Sequence, residues 1–89
     1  MIQKQIEVVN QLGLHLRAAG LLAQEASKYP CDILISKDGL QANAKSIIGV
    51  TMLAAGKGSI VTITAEGERA EEALENIERL FLNKFNEDL

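Results

Sequence analysis

His15 is the only histidine in the chain. It stands in Gly13-Leu14-His15-Leu16-Arg17-Ala18-Ala19-Gly20, where a strand-like segment gives way to a helical one. A helix beginning near Leu16 leaves its first backbone N–H groups unpaired, with the positive end of its dipole turned toward the residue before it. Such an end cradles anions. Arg17, one step inside, adds a guanidinium that forks onto phosphoryl oxygens. These residue types at this spacing suit a histidine that accepts a phosphoryl group. They also suit a plainer role, in which His15 stands in for an N-cap residue and Arg17 is a solvated first-turn side chain.

Composition narrows the possible partners. With 89 residues the chain forms one domain, residues 1–89, large enough to bury a single modest core. Hydrophobic residues make up 47% of it, yet Tyr29, Phe81 and Phe85 are its only aromatics. An aliphatic core is expected, without an aromatic platform on which nucleic acid bases stack. A net charge of −3 also argues against nucleic acid. Acidic residues gather between positions 66 and 88 and read as a solvated helix face. Cys31 has no second cysteine to pair with, and one cysteine plus one histidine makes a poor metal set, so neither metal nor cofactor is expected. Met1 to Ile6 lack a signal peptide's apolar stretch, and no run approaches the ~18 apolar residues of a membrane span. The expectation is a cytoplasmic protein that is not membrane-embedded.

The elements that must position His15 follow from periodicity. Ile2, Ile6 and Val8 alternate with Gln3, Gln5 and Glu7, with Lys4 interrupting the apolar side, which predicts a half-buried strand. Residues 10–13 form the loop before His15. From 16 to about 28, Ala19, Leu22, Ala23 and Ala26 share one helical face while Leu16, Arg17, Gly20 and Gln24 share the other. Pro30 stops that helix. Ile33 and Ile35 mark a second strand, and Asp38-Gly39 predicts a two-residue hairpin into a third. Ser46 suits the N-cap of a short helix through 53, and a fourth strand spans 59–65. Ala70, Ala73, Leu74, Ile77, Leu80, Phe81 and Phe85 then recur at three and four, predicting one last helix that includes Phe85. The order βαββαβα, with helices that each carry one apolar stripe, gives a two-layer α+β open sandwich.

Gly13-Leu14-His15-Leu16-Arg17 with Ala19 resembles the phosphohistidine signature of HPr, the small phosphocarrier of the bacterial phosphoenolpyruvate:sugar phosphotransferase system. Lys45-Ser46-Ile47-Ile48-Gly49-Val50 resembles the second HPr signature, at the expected distance downstream. The likeness spans essentially the whole chain. It implies a four-stranded antiparallel sheet covered on one side by three helices. It further implies a monomeric phosphoryl carrier rather than a free-standing enzyme. In this role His15 takes a phosphoryl group on Nδ1 from enzyme I and passes it to enzyme IIA domains of sugar permeases. The backbone amides of Leu16 and Arg17 and the Arg17 side chain would hold that group. A paralogue in a nitrogen-related or regulatory phosphotransfer chain, or a non-phosphorylated α+β interaction domain, are the other readings.

Two residues depart from the family pattern, which places a small Ala at position 16 and Pro at position 18. Ala18 keeps the helix-start geometry and adds one amide donor. Leu16 sets an apolar side chain on the expected outer face and suggests altered partner preference. Around Ser46 the sequence is similar to Gram-positive HPr, which implies regulatory phosphorylation by an HPr kinase/phosphorylase and a role in carbon catabolite regulation. In the short helix, turning Val50 and Leu53 inward leaves Ile47, Ile48 and Met52 outward. With Leu16, Gly20, Gln24 and Thr51 they form the expected partner-docking surface.

Overall fold

A computed structural model describes residues 1–87. Its elements are β1 (Ile2–Glu7), α1 (Leu16–Ala26), β2 (Asp32–Lys37), β3 (Leu40–Asn43), α2 (Ile47–Thr51), β4 (Ile60–Glu66) and α3 (Ala70–Leu82), followed by a short turn at Lys84–Asn86. The sheet order is β1-β4-β2-β3 and every neighbouring pair is antiparallel. The result is the four-stranded, three-helix open-faced sandwich that the element order implied. Strand order, which sequence patterning left open, places β4 between β1 and β2.

Alternation decides which sheet face is covered. Ile6, Ile33, Ile35, Val61, Ile63 and Ala65 are buried beneath the helices, and Ile6 opposes Val61 while Ile35 opposes Ile63 across the ladders. Gln3, Gln5, Thr62 and Thr64 take the other face, where Gln3 opposes Thr64 and Gln5 opposes Thr62. Lys4 is on the covered side, opposite Ile63. It is tolerated there because its side chain stays about half exposed and Nζ donates to Glu78 Oε1 of α3 at 2.7 Å. Asp38 and Gly39 both have positive φ, 50° and 85°, as a two-residue hairpin linking β2 to β3 requires.

α1 buries Ala18, Ala19, Leu22, Ala23 and Ala26, the expected stripe with Ala18 added. Its small residues let the helix lie close to its neighbours, α2 and α3. Tyr29, just past α1, ties three segments together: its hydroxyl donates to Glu25 Oε2 at 2.9 Å and accepts from Asn76 Nδ2 at 2.7 Å. Its carbonyl accepts from Lys45 Nζ at 2.8 Å. Burial, outweighing the bond from Asn76, and the neighbouring Glu25 carboxylate raise this phenol above its ordinary range.

An expectation is corrected at the C-terminal end. The last helix stops at Leu82 and does not run on to Phe85. Lys84, Phe85 and Asn86 instead adopt left-handed backbone, with φ of 55°, 52° and 61°. Non-glycine residues pay steric strain there, about 1–2 kcal/mol each. Burial offsets part of it: Phe85 is fully covered and meets Phe81 edge-on, ring centres 4.8 Å apart. The core is therefore aliphatic with an aromatic pair at one end, and Tyr29 is also buried. Smaller differences concern boundaries, since α2 ends at Thr51 rather than 53 and β4 covers Ile60–Glu66.

Candidate functional site

His15 is the N-cap residue of α1, with extended backbone (φ −74°, ψ −179°) and no capping bond from its side chain. Its carbonyl accepts the first helical bond, from Ala19 N at 2.8 Å. The amides of Leu16, Arg17 and Ala18 therefore precede the hydrogen-bonded ladder, and no side chain caps them. The uncapped helix start expected from the sequence is present, and such an end, with its helix dipole, suits an anion.

The loop before it is held from below. Gly13 has φ of +69°, and a Cβ at this position would lie 2.6 Å from the Ala55 carbonyl oxygen and 2.8 Å from Gly56 Cα. Only glycine allows that approach. Leu14 N then donates to Ala55 O at 2.8 Å and the Leu14 side chain is buried, so the chain reaches His15 from a fixed base. Leu12, Leu14, His15 and Leu16 border a shallow depression of about 530 Å³ whose far side is Thr51, Ala54, Ala55 and Gly56. Ala54 on that rim also has left-handed backbone, φ 52°.

Sequence reasoning missed two residues here. Asn10 is fully buried and donates through Nδ2 to Gly13 O at 2.7 Å and to Glu87 Oε2 at 2.8 Å. The sequence pattern places Glu87 on a solvated acidic face. It instead accepts from Leu12 N at 3.3 Å through Oε1 and contacts His15 Nε2 at 2.9 Å through Oε2. Burial on its own would raise this carboxyl; the bonds from Asn10, His15 and the Leu12 amide outweigh it and hold the group below the usual carboxylate range. Asp88, the last residue of that acidic run, lies outside the described residues. Nδ1 of His15 has no hydrogen-bond partner among the described residues, and they contain no metal-binding cluster.

The remaining predicted residues divide into two groups. Arg17 lies exposed on the first turn of α1, close in sequence to the cradle, with no ion-pair partner among the described residues. Ser46 is the N-cap of α2, its Oγ accepting from Gly49 N at 3.0 Å. Around them, Leu16 is 71%, Ile48 73%, Met52 73% and Ile47 41% exposed, whereas Val50 and Leu53 are buried, as the helical geometry required. Gln24 is exposed, and Gly20 and Thr51 are half-buried.

An antiparallel open-faced sandwich that carries a histidine at the start of its first helix defines a small class of α+β domain. Residues 2–83 match the family model described as the PTS HPr component phosphorylation site. The phosphocarrier protein HPr of Treponema pallidum is 44% identical over 88 residues, covering 99% of this chain and 100% of that one. Among solved structures, HPr-C-His from Thermoanaerobacter tengcongensis superposes with a TM-score of 0.95 at 42% identity, covering all of both chains. The Bacillus subtilis catabolite-repression protein Crh, crystallised as a swapped-domain dimer, gives 0.75 at 40% identity, covering 94% of this chain and 97% of that one. The chain belongs to the HPr phosphocarrier family of the phosphotransferase system. No helix among the described residues is long and apolar enough to cross a membrane.

Proposed function

We propose that this chain carries a phosphoryl group on Nδ1 of His15, received from enzyme I and delivered to enzyme IIA domains of sugar permeases. The observation that supports it most is the position of His15 at the uncapped start of α1, with Nδ1 unpartnered among the described residues. In the transfer the Nδ1 lone pair forms a bond to phosphorus as the donor's N–P bond breaks. The amides of Leu16 and Arg17 and the Arg17 guanidinium receive the phosphoryl oxygens. A carrier must also release its cargo, because each ~1.4 kcal/mol of extra product binding skews the equilibrium tenfold. An open helix end with one exposed arginine meets that demand better than a closed pocket.

The docking surface proposed for both partners is Leu16, Gly20, Gln24, Ile47, Ile48, Thr51 and Met52. Ser46 is proposed as a regulatory site for an HPr kinase/phosphorylase, since phosphate on a helix N-cap is electrostatically welcome. The working state is proposed to be a cytoplasmic monomer. Of the readings open on the sequence, the family match supports the phosphocarrier. Incubation with phosphoenolpyruvate and enzyme I tests it: acid-labile, base-stable phosphate forms on the native chain and is lost in His15→Ala with the fold intact. Arg17→Ala transfers substantially more slowly without losing all activity. Normal labelling of His15→Ala refutes the assignment.

A further inference from the structure

We infer that Glu87 is a positioning residue for His15, one that keeps the imidazole proton on Nε2 and so reserves Nδ1 for phosphorus. This rests on the phosphocarrier reading above. The Glu87 side chain is only 3% exposed, while His15 keeps 29% of its own side chain open. Three donors from separate points of the loop converge on the carboxylate: Asn10 Nδ2, the Leu12 amide and His15 Nε2. A carboxylate has no proton to offer, so the hydrogen in the 2.9 Å contact to the ring resides on Nε2. In the neutral ring the other nitrogen then carries the free lone pair. Glu87 reaches this place because the left-handed backbone at Lys84, Phe85 and Asn86 turns the chain back after α3, with Phe85 buried as its anchor.

The arrangement removes proton movement from both halves of the carrier cycle. On acceptance, the Nδ1 lone pair forms the N–P bond, and the donor's N–P bond breaks with its electron pair staying on the donor. The phosphorylated ring keeps its Nε2 proton and is cationic, beside the Glu87 anion. On delivery, a nucleophile of the enzyme IIA acceptor bonds to phosphorus as the Nδ1–P bond breaks; the bond's electrons return to the ring, which departs as neutral imidazole with the same proton in place. A cationic ring is the better leaving group, so Glu87 serves the onward step as well as the first.

Nitrogen-15 NMR of ring-labelled protein at pH 8.5, above the ordinary histidine range, reads the proton's position directly. It is paired with rates of acceptance from enzyme I and delivery to an enzyme IIA domain. The native ring is expected as a single Nε2–H tautomer. Glu87→Gln retains that tautomer, because the amide oxygen still accepts, but without the anion delivers phosphate about tenfold more slowly. Glu87→Ala shows a tautomer mixture and slows both steps by more than Gln does. A native Nδ1–H tautomer, or native rates in Glu87→Ala, overturns the inference. If the native ring shows Nε2–H yet takes no phosphate, the ring geometry stands and the phosphocarrier reading fails.

Discussion

Asn10 and Glu87 are 77 positions apart and meet in a 2.8 Å hydrogen bond beside His15. The same amide nitrogen also serves Gly13 O, so one side chain fastens the loop to itself and to the far end of the chain. Asn10→Ala leaves two acceptors without their donor and is expected to cost about 1–3 kcal/mol. Asn10→Asp puts an oxygen where the two acceptors expect a donor, and is expected to be worse at neutral pH. Urea unfolding of both variants checks this order; an Asn10→Ala midpoint equal to native refutes it.

Acid should release this clasp. The carboxyl of Glu87 sits below its unfolded value, so the unfolded chain takes its proton first. Its contribution to stability is complete above an ordinary glutamate pKa of about 4.3 and is lost as pH falls through the lower folded value. Glu87→Gln is therefore less stable than native at pH 7, and the gap narrows as pH falls to 3. Chemical denaturation at both pH values measures it, and a gap that widens in acid contradicts the assignment.

The placement of His15, Arg17 and Ser46 was legible because each belongs to a local pattern: a helix start, its first turn and an N-cap. The covered face of the sheet was legible for the same reason, since strand alternation is a short-range signal. Glu87 was not. It reaches His15 across 72 positions, by way of a backbone turn that the helical spacing of Phe81 and Phe85 disguised as one more turn of helix. Two phenylalanines four apart satisfy a helix stripe and a buried aromatic pair equally well, and only tertiary packing separates the two. Strand order escaped likewise, as no pattern within β4 says which strands flank it.

Gly20 distinguishes packing from docking. A Cβ there meets nothing within 4 Å, so the glycine has no internal reason to be small. Gly20→Ala is expected to stabilise the protein by about 0.5–1 kcal/mol through helix propensity. If partners approach the helix closely at this point, the Michaelis constant for transfer from enzyme I rises at the same time. Higher stability with unchanged transfer kinetics removes Gly20 from the docking surface.

Ser46 makes a second separable pair of effects. Ser46→Ala loses the bond to Gly49 N and is expected to cost about 1 kcal/mol without slowing phosphoryl acceptance. Ser46→Asp keeps an N-cap acceptor and so keeps most of the stability, but its charge repels an incoming phosphorylated partner and acceptance slows. An unchanged acceptance rate in Ser46→Asp, with its thermal midpoint intact, counts against regulation through this position.

Ile48 gives the sharpest test of the apolar surface. It is 73% exposed on α2, whereas Val50 and Leu53 of the same segment are buried, so its side chain is free to bury on a partner. Covering one such group contributes about 1.5–3 kcal/mol, enough for Ile48→Lys to weaken docking tenfold or more. Stability should move by no more than about 0.5 kcal/mol, because an exposed site loses no core contacts and opens no cavity. Ile47, 41% exposed, is partly packed, and Ile47→Lys should lower the thermal midpoint as well as the affinity. The thermal midpoint and the Michaelis constant for enzyme I, measured on both variants, separate the effects. If Ile48→Lys docks and transfers like the native protein, the partner surface lies elsewhere on the molecule, and the exposure of this isoleucine has another cause.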